Sequence, residues 1–209
     1  MTRGAISWIV ATHDQQILQR SLLPTVPLDD ELVVIEHAPS IAAAYNEGIR
    51  SASHRVKVFV HHDVAILDPA RLQQLLYEHC TGVTGMVGVI GSRTAVVPWW
   101  SGEQVGSVID GRIGQLGPGG EGHCTYLDGL LLATAQDIQW DENIPGWHLY
   151  DHDICQQQLA AGLPNVCLPD GHELVRHDTT GPRRMSDLNG WDTALTAFRT
   201  KWGDAARYV

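Results

Sequence analysis

Residues Val56 to Val64 read V-K-V-F-V-H-H-D-V, an apolar run that ends abruptly in two histidines and an aspartate. A buried strand that stops in ionisable groups delivers those groups to the edge of a sheet. In open α/β folds that edge, outside the carboxyl ends of the strands, is where ligands bind. The stretch therefore calls for a covered sheet, and for a polar site at one end of it.

The surrounding pattern supplies the sheet. Ala5 to Thr12 is apolar and β-branched and predicts a first buried parallel strand; Gln15 to Leu23 predicts a short helix closed by Pro24 and Pro27. Glu31 to Glu36 predicts a second strand, and the Ala-rich segment from Ile41 to Ser53 a helix with Ser40 at its cap. With Val56 opening a third strand, the order strand, helix, strand, helix, strand is that of a doubly wound, mostly parallel sheet flanked by helices. Asp68-Pro69 opens a further helix bearing Leu72, Leu75, Leu76 and His79, and Met86 to Ile90 predicts a fourth strand.

From Val97 to His123 the chain turns Gly- and Trp-rich, predicting an irregular insertion with a hairpin that covers the site. Tyr126 to Thr134 then predicts a strand interrupted at Asp128-Gly129, and Leu149 to Ala161 a helix stopped by Gly162 and Pro164. Val166 to Leu168 and Glu173 to Arg176 predict short strands. Trp191 to Trp202 predicts a closing helix, with Leu195, Phe198 and Trp202 along one face.

Charge narrows the ligand. With 14 basic and 24 acidic residues the formal net charge is -10, a poor match for a polyanion such as nucleic acid. One anionic small molecule is still bindable where a cation or a local Arg cluster neutralises it. Cys80, Cys124, Cys155 and Cys167 form no C-x-x-C pair and no zinc-ribbon spacing, which predicts buried free thiols in a reducing compartment. The apolar run near the amino terminus stops at His13-Asp14, too short for a signal sequence or for a span of ~20 residues, so a cytoplasmic location is expected.

Several short patterns bear on chemistry. Gly117 to Gly122 spells G-x-G-x-x-G, but no buried strand leads into it and a strand rather than a helix should follow, so a loop is expected and not a dinucleotide fingerprint. In His61-His62-Asp63, strand alternation sends His61 and Asp63 to one face and His62 to the other. A carboxylate there suits a divalent cation and its diphosphate, although a merely polar strand end fits equally well. His148 and His152 stand at i, i+4, a spacing that can hold zinc, yet H-E-x-x-H is absent.

At the same helix, Asp151 shares a face with Cys155 and Leu159, so Asp151 should point inward as a base or a cap while Asp153 should lie in solvent. Val175 to Arg184 ends a short strand in His177-Asp178 and a basic loop, offering an imidazole as metal ligand and Arg183 and Arg184 for phosphate oxygens.

The ordered segments A-A-A-Y-N-E-G-I, V-F-V-H-H-D-V, Y-L-D-G-L-L-L-A, G-W-H-L-Y-D-H-D-I-C, V-R-H-D-T-T-G and F-R-T-K-W together resemble the family 2 type of GT-A fold glycosyltransferases, and most closely the small subgroup with the streptomycin-biosynthesis StrF-like domain. The resemblance covers nearly the whole chain. It implies a Rossmann-like GT-A fold in one domain over 1–209, with 1–96 as nucleotide-binding half and 97–209 as acceptor and catalytic half. It also implies that Thr12, Glu36 and Asn46 surround the nucleoside of a sugar-nucleotide donor. Asp63 would stand at the last aspartate of the D-x-D metal motif, joined by His177 as a later ligand and His61 beside it, with Mn²⁺ or Mg²⁺ as cofactor.

By the same resemblance Asp128 would lie near the transferred sugar or acceptor, and Asp151 would match the general base of the E-D motif. Two positions depart from the family's pattern: His61 stands where D-x-D has its first carboxylate, and Tyr150 where E-D has its Glu. Acceptor recognition, for a saccharide, lipid or small molecule, would fall to Trp99, Trp100 and Trp147, whose faces can stack on sugar rings. The expected activity is inverting transfer to a hydroxyl. The competing expectations are a sugar-nucleotide-binding protein without transfer, and a metallohydrolase built on His61, His148 and His152. Assembly stays open, a homo-oligomer included.

Overall fold

The computed structural model describes residues 5–178, 190–203 and 207–208. In chain order the first half carries β1 (Ser7–Thr12), α1 (Gln15–Arg20), β2 (Glu31–Glu36), α2 (Ile41–Ser51), β3 (Lys57–His61), β4 (Val64–Ile66), α3 (Pro69–His79), β5 (Val87–Gly88), β6 (Ile90–Ser92) and β7 (Val96–Val97). There follow β8 (Gln104–Asp110), β9 (Gly114–Gly119), β10 (Gly122–Cys124), β11 (Tyr126–Leu127), β12 (Leu131–Thr134), α4 (Tyr150–Ala160), β13 (Asn165–Cys167), α5 (Gly171–Leu174), β14 (Val175–His177), α6 (Trp191–Trp202) and β15 (Arg207–Tyr208).

The helices begin where side chains can satisfy free amides. Asp14 accepts from the amides of Gln16 and Ile17 at α1, Ser40 from Ala43 at α2, and Asp68 from Arg71 at α3, where Pro69 needs no partner in the first turn. Seven strands make the central sheet in the order β10, β13, β5, β12, β3, β1, β2. The pairings β1–β2, β1–β3 and β5–β13 are parallel, whereas β12 runs against both β3 and β5, and β10 against β13. This is the mixed α/β arrangement the sequence pattern calls for, with β12 as an antiparallel insert.

Beside it lies a second sheet in the order β11, β6, β8, β14, β4, with β9 paired to β8 as the expected hairpin. Five short stretches leave one sheet and enter the other. β3 passes into β4 through His62-Asp63, β5 into β6 through Val89, β9 into β10 through Gly120-Glu121, β10 into β11 through Thr125, and β11 into β12 through Asp128 to Leu130. Met86 to Ile90 and Tyr126 to Thr134 are therefore each two short strands, because one straight ladder cannot serve two sheets.

Other expectations are also adjusted. The segment after β1 is helical only to Arg20, and a 3₁₀ turn covers Leu23–Thr25. Residues Gly171–Leu174 form a helical turn, so the expected strand at Glu173 begins instead at Val175. The G-x-G-x-x-G segment runs out of β9 into β10 and opens no helix.

An aromatic cluster fills the core below α2: Tyr45, Phe59 and Trp140 have ring centroids 4.9–5.0 Å apart, and Tyr150 borders them. All four cysteines are free and buried, and burial pushes the Cys80 and Cys167 thiols up to about 12. Asp153, expected in solvent, is only 2% exposed. Its carboxylate accepts from the Trp202 indole at 2.7 Å and pairs with Lys201 at 2.8 Å, tying α6 to α4. The closing helix supplies partners that a single-helix argument could not see.

Candidate functional site

Register explains why distant residues meet. β14 pairs antiparallel with β4, setting His177 opposite Val64, and the Asp178 amide donates to the Asp63 carbonyl at 2.6 Å. β14 also runs parallel to β8, which brings Asp110 beside His177. The crossing turn after β3 carries Asp63 into this corner, and His61 closes it as the last residue of β3. His61, Asp63 and His177 each present one donor atom, all within 4.8 Å of one another, and theirs is the one such group of three among the described residues.

That span fits a single ion. Ligands around an octahedral ion at ~2.1 Å lie about 3–4.2 Å apart, so small side-chain adjustments suffice. Two imidazoles with one carboxylate favour Mn²⁺ over Mg²⁺, which prefers all-oxygen sets.

The electrostatics match such a site. His177 Nε2 lies 3.2 Å from Asp63 and its Nδ1 lies 3.8 Å from Asp110. Burial pushes the Asp63 carboxyl up, but the bond and charge of His177 and the nearby His61 and His62 rings overcome it and hold it well below the usual range. Burial lowers His177, and Asp63, Asp128 and Asp110 reverse this, so its pKa is raised. Burial depresses His61, whose Nε2 is bonded to the Tyr150 hydroxyl at 2.6 Å. A Cβ at Gly129 would overlap that hydroxyl, so the glycine leaves the room in which Tyr150 reaches His61.

Asp151 stands in the first turn of α4. Its Oδ1 is bonded to the His152 amide and to His152 Nδ1, both at 2.9 Å, and its Oδ2 accepts from the Gly129 amide at 3.2 Å. Burial raises its pKa, and the His152 ring with the two amides more than reverses that, leaving it lowered. Asp128 goes the other way: burial and the Asp151 charge raise it, although the Leu130 amide donates to it. Trp99 Nε1 donates to Asp128 at 3.1 Å, and the Trp99 amide donates to His152 Nε2, also at 3.1 Å. His152 is thereby fixed as the Nδ1–H tautomer. His148 packs its ring edge-on to Trp191, so His148 and His152 do not join His61 in a metal site.

Two cavities meet here. One of about 660 Å³ is lined by Asp110, Asp128 and Asp151 together with Trp100, Trp147 and Trp191. A second of about 260 Å³ is lined by Ala11, His13, Ile41 and His62. His61, Asp63, Trp147 and Tyr150 border both.

The remaining sequence candidates are dispersed. Thr12 bonds His62 Nδ1 at 2.7 Å, and the His62 ring lies 4.8 Å from that of His13. Glu36, at the end of β2, is exposed and accepts from Gln15. Asn46 is buried and bonds both the amide and the carbonyl of Trp140 at 2.9 Å, as well as Glu142. Arg183 and Arg184 lie outside the described residues. Sequence reasoning did not select Asp110, His13 or Trp191 for the site; Asp110 was hidden because its strand sits in a Gly-rich stretch that reads as a loop.

The sheet order and the cavities at the strand ends place the chain in the GT-A fold of glycosyltransferases. A family model described as "Glycosyltransferase like family" matches residues 14–185, and the chain belongs to that family. No curated protein matches its sequence.

Among solved structures, it is similar to the mannosyltransferase PcManGT from Pyrobaculum calidifontis in complex with GDP-Man and Mn²⁺. The TM-score is 0.61 at 12% identity, over 96% of this chain and 64% of that one. It is similar also to GalNAc-T7 with UDP, GalNAc and Mn²⁺, with a TM-score of 0.58 at 10% identity, over 85% of this chain and 44% of that one. The chain thus spans less than two thirds of either structure. Among the described residues no helix is long and apolar enough to cross a membrane.

Proposed function

We propose that the chain moves a sugar from a nucleoside-diphosphate donor to an acceptor hydroxyl with inversion. The observation that carries this reading is the pair of cavities meeting at His61, Asp63, Trp147 and Tyr150. Two spaces with one shared boundary suit a reaction between two molecules. The smaller cavity takes the nucleoside end of the donor, near Thr12 and His62, with Glu36 at the neighbouring strand end. The larger one takes the acceptor.

In this mechanism Asp151, ionised at neutral pH, accepts the proton of the acceptor hydroxyl as its oxygen bonds to the donor's anomeric carbon. The bond from that carbon to the diphosphate oxygen breaks on the opposite face, and the electron pair leaves with the nucleoside diphosphate. The Gly129 amide and His152 hold the base in place. His61, Asp63 and His177 are the residues that would hold a divalent cation, which would supply positive charge toward the diphosphate. Asp128, with its raised pKa, hydrogen-bonds the transferred sugar.

General-base help is worth ~10²–10⁴-fold, so Asp151→Asn should lower turnover by about that factor and leave donor affinity, read by calorimetry with Mn²⁺, nearly unchanged. Undiminished transfer by that variant excludes Asp151 as the base. Donor binding by the unaltered chain with neither transfer nor hydrolysis would instead favour a sugar-nucleotide-binding protein.

A further inference from the structure

The larger cavity is lined by two unlike sets of side chains. One is carboxylates: Asp63, Asp110, Asp128 and Asp151. The other is aromatic, and its rings form a continuous series. Trp99 meets Trp100 at 5.9 Å, Trp100 meets Trp191 at 6.1 Å, and Trp191 meets His148 at 5.5 Å. Trp100 is 40% exposed and Trp147 44%, although large apolar side chains are ordinarily covered. Among the described lining residues Arg112 is the one Lys or Arg, and it is paired with Asp110 at 3.6 Å.

Resting on the glycosyltransferase reading, we infer that the acceptor is a pyranose ring without negative charge, stacked on Trp100 and Trp191. A pyranose is itself two-sided. Its C–H face packs on indole, and its hydroxyls, at the ring edge, donate to carboxylates. An amino group would be favoured in this cavity by the carboxylates and by the ring faces. Among the described lining residues a uronate would face Asp110, Asp128 and Asp151 with one paired arginine to meet it, and like charges repel. Trp191 reaches the cavity from α6, so the closing helix becomes part of acceptor recognition.

The test uses the full chain with Mg²⁺ and three sets of probes: the methyl pyranosides of glucose, galactose and mannose, their 2-amino analogues, and the corresponding uronates. Saturation-transfer NMR is the readout. At least one neutral or amino pyranoside should bind, with transfer strongest to the protons of its C–H face, and the uronates should bind more weakly. Trp100→Ala and Trp191→Ala should each weaken binding roughly three- to tenfold, whereas Trp191→Phe, which keeps a ring, should largely retain it.

Thermal melts confirm that each variant is folded. Absence of pyranoside binding, uronates binding as tightly as neutral sugars, or alanine variants indistinguishable from the parent would each overturn the inference. Calorimetry with GDP and UDP on the same sample separates the two readings. Nucleoside diphosphate binding without pyranoside binding removes this inference alone; pyranoside binding without nucleoside diphosphate binding removes the transferase reading and leaves a sugar-binding cavity.

Discussion

Replacing Asn46 by alanine should destabilise the protein without touching the ligand. The Asn46 amide spans the Trp140 backbone, accepting from its N–H and donating to its C=O, both at 2.9 Å and both buried. Removing it orphans two buried backbone groups at about 1–3 kcal/mol each, or about 2–6 kcal/mol together. The third bond, to exposed Glu142, adds little. Water entering the vacated space would place the loss toward the lower end.

For a chain of 209 residues each kcal/mol is worth about 2–4 °C, so the melting temperature should fall by at least about 4 °C. Asn46→Asp should be no milder, since it keeps the acceptor but sets a carboxylate against the Trp140 carbonyl and Glu142. Differential scanning calorimetry reads the stability, and titration with a nucleoside diphosphate reads the site. A melting temperature within about 2 °C of the parent, with a tenfold loss of nucleotide affinity, would falsify the structural role and return Asn46 to the nucleoside.

Other perturbations separate the parts of the site. Gly129→Ala puts a methyl group where the Tyr150 hydroxyl now sits; it should cost about 1–3 kcal/mol and weaken Mn²⁺ binding by freeing His61, and unchanged metal affinity would show that Tyr150 does not position that ring. Asp63→Asn leaves two imidazoles, so stoichiometric Mn²⁺ binding, followed by electron paramagnetic resonance, should be lost; retention would move the metal elsewhere.

Glu31 accepts from the Ser53 amide at 2.7 Å and from Ser7, and these bonds lower its pKa despite partial burial. Its stabilisation is present above the ordinary Glu pKa of about 4.3 and is lost as pH falls through the depressed value. Glu31→Gln should therefore lower stability near neutrality and flatten the acid limb of the stability curve. An acid limb as steep as the parent's would assign the effect to other carboxylates.

Much of the fold was legible because it rests on local signals. The cap at Ser40, the helix opening at Asp68-Pro69, and apolar runs at Ile9 and Val58 are written in adjacent residues. The second sheet was not, because its strands are two to seven residues long and three of them continue strands of the first. Nothing in Met86 to Ser92 marks the change of sheet at Val89. The triad was legible in part: His61 and His177 end strands, Asp63 follows His61 by two residues, and their resemblance to a known pattern links them. Asp153 was misplaced because helical spacing knows nothing of the Lys201 and Trp202 side chains that arrive from α6. Asp110 went unseen for a similar reason, as its partner His177 joins it only through strand pairing.

The crossings between sheets also set where the chain tolerates a change of length. Each is short: two residues between β3 and β4, one between β5 and β6, two between β9 and β10, one between β10 and β11, and three between β11 and β12. Side chains alternate faces along a strand, so one residue gained or lost there turns every following side chain to the wrong side. At His62-Asp63 an insertion would rotate Asp63 away from His177, and at Asp128 it would detach Asp128 from Trp99 and Gly129 from Asp151. The turn between β8 and β9, at Gly111 to Ile113, joins two strands of one sheet and is exposed throughout, with Arg112 and Ile113 at the edge of the larger cavity. A change of length at that hairpin tip leaves every strand in its sheet, so it should be better tolerated than one at any of the five crossings.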